Sequence, residues 1–179
     1  MRGEPLALAR AALAGLEASR QRIDDLNVYP VPDGDTGTNM TETARAVVSA
    51  LERGETDVVR ASLMGARGNS GVILSQIVRG AVEALPEDEI DTRALAQALR
   101  GASDAAYAAV RNPQEGTMLT VIRELAEKAE ELAAAVPLAE ALSKLVDHGE
   151  SALARTPEQL DVLRQAGVVD AGGAGIVEI

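Results

Sequence analysis

The chain has 179 residues, 46% hydrophobic and 25% charged, which suits one soluble globular domain. Its net charge of −11 repels phosphate backbones and anionic membranes, and two tyrosines, Tyr29 and Tyr107, are the only aromatic residues, so neither nucleic-acid binding nor membrane insertion is expected. Cysteine is absent and His148 is the sole histidine, which excludes disulfides, thiolate nucleophiles and zinc sites of several histidines.

Alanine abundance and the scarcity of β-branched runs favour helix throughout. From Pro5 to Leu26, apolar residues recur at steps of three and four, one face of an amphipathic helix. Further helices are predicted over Asn39 to Leu51, Thr56 to Met64 and Ser70 to Leu85. The last carries apolar residues on most sides, which predicts a central position, and Pro86 ends it. Asp91 is a plausible N-cap for Thr92 to Val110; Gly116 to Val136 and Leu138 to Ala154 follow. Thr156-Pro157-Glu158-Gln159 has the pattern of a capping box and opens an eighth helix to Ala166. Eight helices with short loops and no period-2 run predict an all-α bundle. Asp170 to Gly175 reads as a glycine turn, followed by an apolar run to Ile179. Such a finish predicts the amino-terminal part of a longer protein, a single domain over residues 1–179. No apolar stretch approaches the roughly 18 residues of a membrane span, and Met1 to Arg10 lacks a signal-peptide layout, so the cytoplasm is the expected compartment.

The candidate chemistry lies between helices. In Asn27-Val28-Tyr29-Pro30-Val31-Pro32-Asp33-Gly34-Asp35-Thr36-Gly37-Thr38-Asn39-Met40, two prolines stiffen the entry and two glycines allow tight backbone, presenting Asp33 and Asp35 together. Paired carboxylates repel unless a cation lies between them, and hard oxygen donors suit Mg²⁺ completed by phosphate oxygens and water. The plain alternative is an Asp-Gly turn with Asn39 as N-cap and Glu42 closing a capping box. An EF-hand loop from Asp33 fails at Thr38 and Ala44, and an aspartyl phosphatase would need an apolar strand where Tyr29-Pro30-Val31-Pro32 stands. Gly65-Ala66-Arg67-Gly68-Asn69-Ser70-Gly71, ahead of the fourth helix, suits an anion cradle of backbone N–H groups or an ordinary helix-helix turn. It is no Walker A loop, since no Gly-Lys pair exists. Glu115-Gly116-Thr117-Met118-Leu119 offers aliphatic contacts for an adenine, with Met118 as core the plain alternative. Asp170 to Gly175 lacks the final glycine of a dinucleotide fingerprint, and His148 reads as a solvated helix residue.

These segments, with Val169-Asp170-Ala171-Gly172-Gly173-Ala174-Gly175, resemble in order the nucleotide-binding domain of bacterial fatty acid kinase. That domain is of the DhaL type, shared with the ATP-binding part of dihydroxyacetone kinases. The resemblance covers nearly the whole chain and implies an eight-helix antiparallel barrel binding ATP through two Mg²⁺ ions. Asp33 and Asp35 match the metal-holding residues on which catalysis depends. A third aspartate of the dihydroxyacetone kinase branch would fall on Val28, where the match fails; Asn27, one residue further back, could supply an amide oxygen to the metal. Thr38 and Asn39 match the start of the helix below the metals. Gly68, Asn69, Ser70 and Gly71 match the phosphate-cradling turn, Thr117, Met118 and Leu119 the adenine side, and Asp170 a closing loop. The implied reaction is phosphorylation of a fatty acid carboxylate to an acyl phosphate, the fatty acid being presented by a DegV-type protein and further domains completing the enzyme. A small-polyol kinase, or a non-catalytic nucleotide-sensing or assembly module, is the alternative.

Overall fold

The computed structural model describes residues 4–86 and 90–179, and every regular element among them is helical. α1 (Glu4–Asp25) is followed by α2 (Thr36–Glu52), α3 (Val58–Gly65), α4 (Gly68–Ala84), α5 (Thr92–Ala109), α6 (Met118–Leu132) and α7 (Leu138–Ala154). Two short segments, α8 (Thr156–Gln159) and α9 (Asp161–Ala166), lead to α10 (Ala171–Val177). The helices pack as a ring: α1 on α2, α2 on α4, α4 on α5, α5 on α6, α6 on α7, and α10 against α1, α2, α6 and α7 to close it. α3 bridges α2 and α4.

The all-α class and the first seven helices agree with the sequence reading, and several details differ. α2 starts at Thr36, three residues before Asn39, so Asn39 is inside the first turn and not an N-cap; its N–H bonds Asp35 O at 2.8 Å. α4 starts at Gly68 and not at Ser70. It is a ring member and not a central helix: Leu74 and Ile77 face inward, while Val72 and Val82 remain 46% and 45% exposed. The expected eighth helix is broken at Leu160. Its capping box does not form, because Thr156 is inside the helix and its hydroxyl donates to Leu153 O. The glycine turn at Asp170 to Gly175 is helix α10, with Ala171 to Ile176 all buried.

That last difference has a packing cause. Glycine disfavours helix in isolation, but a Cβ on Gly173 would lie 2.9 Å from Val121 Cγ2, and one on Gly175 would run into Met40 Sδ. Close approach to the core therefore outweighs propensity. Leu16, Ile23, Met40, Val121 and Ala174 have no exposure, and burying each large side chain contributes about 1.5–3 kcal/mol. A smaller apolar cluster joins α5, α6 and α7 through Ala96, Ala129, Leu132, Ala141 and Leu145. No described helix is long and apolar enough to cross a membrane.

Candidate functional site

Two residues near the end of α1 organise the α1–α2 connection. The Asn27 amide nitrogen donates to Val31 O at 2.7 Å and to Asp33 Oδ1 at 2.9 Å, while its oxygen accepts from the Thr36 hydroxyl. Two acceptors on one side and a hydroxyl on the other fix the amide's orientation. Asp24, buried, accepts from Thr38 N at 2.9 Å and from Thr38 Oγ1 at 2.8 Å. An acidic residue in the last turn of a helix opposes that helix's dipole, but this carboxylate serves the N-terminus of α2 instead.

The first turns of α2 and α4 meet where Thr36 Oγ1 lies 3.3 Å from Ser70 Oγ. Neither helix is closed by its own N-cap side chain. Asp35 precedes α2 with φ −123° and ψ 2°, and makes no capping bond; Arg67 precedes α4 and makes none either. Gly71 N–H is the first in α4 to find a carbonyl, Arg67 O at 2.9 Å, which leaves the N–H groups of Gly68, Asn69 and Ser70 without an intrahelical partner. Gly68 has φ +55°, and a Cβ there would run into Asn39 Nδ2, so only glycine leaves this corner open.

Between the two helix ends is a cleft of about 170 Å³, lined by Asn27, Pro30, Val31, Asp33, Asp35, Thr36, Asn39, Gly68, Asn69 and Ser70. Helix N-termini carry partial positive charge and attract anions. Asp33 and Asp35 add two carboxylates at the same opening. No group of three or more acidic or histidine side chains converges on a point among the described residues. Mg²⁺ commonly uses one or two protein carboxylates and completes its shell with phosphate and water. The donor set fits a magnesium phosphate: Asp33 and Asp35 would face the metal and the α4 N–H groups the phosphate. The volume suits that cluster and is below the roughly 300 Å³ that begins the range for whole small-molecule sites.

The remaining sequence-derived candidates lie elsewhere. Thr38 is committed to Asp24, and Gly71 is buried, where a Cβ would run into Thr43 Oγ1. Thr117, Met118 and Leu119 do not line the cleft: Thr117 is the N-cap of α6, accepting from Leu119 N at 3.4 Å, and the other two belong to the main core. Glu115 holds the segment before them. Burial raises its pKa, but hydrogen bonds from Thr120, Tyr107 and Arg123 outweigh this and hold it below that of an ordinary carboxylate. Asp170 is buried too, capping α10 by accepting Gly173 N at 2.7 Å, while its own N–H donates to Thr156 Oγ1 at 3.0 Å. Burial pushes its carboxyl up to about 6, against the N–H groups of Gly173, Met118 and Gly172, which pull it down. A Cβ on Gly172 would lie 3.0 Å from Met118 Sδ, so Met118 and the start of α10 adjoin. Asp24 and Thr36 are the site residues the sequence reading passes over. The available signal was the acidic pair Asp24-Asp25 at a helix C-terminus, where acids are unfavourable.

Residues 30–179 match the DAK2 domain family. The chain belongs to that family. Over 182 residues this DAK2 domain is 42% identical to Protein YloV of Bacillus subtilis (strain 168), covering 94% of this chain and 33% of that protein. Over 167 residues it is 42% identical to an uncharacterized protein of Staphylococcus saprophyticus, covering 86% of this chain and 30% of that one. The chain thus spans about a third of the length of these relatives. The native dihydroxyacetone kinase of C. freundii superposes with a TM-score of 0.69 at 17% identity, over 97% of this chain and 32% of the kinase. The same kinase in complex with AMP-PNP and Mg²⁺ gives 0.70 at 19%, with the same coverage. At these identities the likeness is one of fold, and the DhaL-type resemblance seen in the sequence stands on both family and fold.

Proposed function

We propose that this DAK2 domain is the ATP-binding part of a magnesium-dependent kinase whose acceptor is the carboxylate of a fatty acid, carried by a separate DegV-type protein. The observation that carries the nucleotide reading is the meeting of two helix N-termini without side-chain caps and two carboxylates at one cleft. Asp33 and Asp35 would hold Mg²⁺, and the N–H groups of Gly68, Asn69 and Ser70 would take phosphate oxygens; Asn27, whose amide nitrogen faces Asp33 and whose oxygen faces the Thr36 hydroxyl, would position Asp33 and not ligate the metal. Bound Mg²⁺ supplies neutralisation of phosphate charge. Asn39 stands beside Gly68 and lines the same cleft. Thr117, Met118, Leu119 and Asp170 are assigned to the nucleoside side on the resemblance alone.

A carboxylate acceptor is ionised at neutral pH and needs no general base, so in-line transfer would rest on positioning and electrostatics. This accords with a lone His148, whose Nε2 lies 3.7 Å from Glu124 on α6. A net charge of −11 opposes capture of a free fatty acid anion, which favours delivery by a carrier. The remaining length of the relatives would supply the other domains of the enzyme. The shared fold with dihydroxyacetone kinase supports a second reading, with a small polyol as acceptor. Calorimetric titration with ATP, with and without Mg²⁺, tests the first half. Transfer of labelled phosphate from ATP to a fatty-acid-loaded DegV-type protein, against dihydroxyacetone in a parallel reaction, tests the second. Labelling of dihydroxyacetone alone would overturn the fatty acid reading, and ATP binding without transfer to either acceptor would favour a sensing or assembly module.

A further inference from the structure

Resting on the proposed function, we infer that Asp24 is a positioning residue for the metal: it caps α2 from the neighbouring helix and so keeps Asp35 free to face Mg²⁺. Three other helices set the pattern. Asp57, Asp91 and Asp170 precede α3, α5 and α10, and each accepts the N–H three residues ahead, from Arg60, Ala94 and Gly173, at 2.8, 2.8 and 2.7 Å. Asp35 precedes α2 in the same way, and the N–H three residues ahead belongs to Thr38. That N–H is already taken. Asp24 Oδ1 accepts it at 2.9 Å, and Asp24 Oδ2 accepts the Thr38 hydroxyl at 2.8 Å. The donor that would draw Asp35 back onto its own helix is therefore satisfied from outside, and Asp35 makes no capping bond.

Two further features serve this exchange of caps. Asp24 is buried in the last turn of α1, where a carboxylate opposes the helix dipole, and both its hydrogen-bonded oxygens are turned to Thr38. Asp25, next in sequence, is exposed and accepts from Gln21 on its own helix at 2.9 Å. Gly37 sets the reach. A Cβ there would run into Arg20 O and lie 3.0 Å from Ile23 Cβ, so a side chain would push the first turn of α2 off the end of α1 and Thr38 away from Asp24. Asp35 lines the cleft and Asp24 does not, so Asp24 acts on the metal only through the carboxylate it releases.

The test separates the cap from the charge. Asp24→Ala removes both, while Asp24→Asn loses the charge but keeps an oxygen for the Thr38 N–H and an amide N–H for the Thr38 hydroxyl. In calorimetric titration with magnesium ATP, Asp24→Ala is expected to bind roughly tenfold more weakly, and Asp24→Asn within about threefold of the unaltered chain. In a crystal structure of Asp24→Ala grown without metal or nucleotide, the Asp35 carboxylate is expected to accept from Thr38 N. Equal weakening of the two variants overturns the inference, as does full-strength binding by Asp24→Ala or an Asp35 that leaves the Thr38 N–H unpaired. Should Asp24→Ala not fold, Asp24→Asn decides: retained affinity supports the cap, and a loss of roughly tenfold overturns it. If the unaltered chain binds no magnesium ATP, the proposed function falls, and the place of Asp35 in the Asp24→Ala structure still decides the exchange of caps.

Discussion

Two sets of helix beginnings in this molecule use aspartate in opposite ways. At α5 and α10, Asp91 and Asp170 accept the N–H groups of Ala94 and Gly173 at 2.8 and 2.7 Å, from extended backbone with ψ −174° and 126°. At α2, Asp35 holds the same position with ψ 2°, and its carboxylate makes no capping bond. An aspartate cap contributes about 1 kcal/mol, so Asp35 forgoes a local gain its counterparts take. The first pair closes helices into the fold; at the second kind of end the carboxylate is left without a capping bond, as the proposed metal site requires.

The largest expected effect follows at the open end. Asp35→Ala should abolish magnesium-dependent ATP binding in calorimetry while helical content by circular dichroism stays unchanged; full-strength binding would remove Asp35 from the metal. At the closed end, Asp170 should govern stability with pH. Its carboxyl is raised from 3.8 to about 6 in the folded state, so its penalty is absent below pH 3.8 and grows as pH rises to about 6. At about 1.4 kcal/mol per unit this is on the order of 3 kcal/mol. Asp170→Asn keeps the cap and should flatten denaturant-measured stability between pH 4 and 6; a profile matching the unaltered chain would show that Asp170 does not titrate there.

Gly68→Val places a branched side chain against Asn39 and should weaken magnesium ATP binding by about 1–3 kcal/mol, the cost of a lost polar contact. Unchanged affinity would mean that phosphate does not approach this turn. Asp91→Ala should lower unfolding stability by about 1 kcal/mol and leave nucleotide affinity alone, the mirror image of Asp35→Ala. An altered affinity would break the division between open and closed ends. The smallest effect belongs to Thr41, whose buried hydroxyl has no hydrogen-bond partner among the described residues. Thr41→Val should be neutral or slightly stabilising in the same denaturation assay, because it removes a desolvated polar group; a loss above about 1 kcal/mol would reveal a partner for that hydroxyl.

What the sequence disclosed follows from how local each signal is. Apolar spacing marked α1, glycine, proline and capping residues bounded the helices from α2 to α7, and the proline- and glycine-framed aspartates marked the cleft, because all of these depend on near neighbours. α10 was hidden because Gly172, Gly173 and Gly175 read as a turn until Met118, Val121 and Met40 are placed against them. Asp24 was hidden because its partner, Thr38, is on the next helix. Thr117, Met118 and Leu119 show the converse: their pattern was visible, but at the start of α6 the main core takes up Met118 and Leu119.

The ring seam also sets a timetable. α10 closes onto α1, where a Cβ on Gly15 would run into Glu178 O and Arg22 pairs with Glu178. Leu16 and Met40, which share the core with Ala174 and Ile176, leave the ribosome long before α10 is made. At roughly 5–20 residues per second, that delay is on the order of ten seconds. Through that interval the growing chain has an apolar seam without its lid, and it is then that a chaperone would have most to hold.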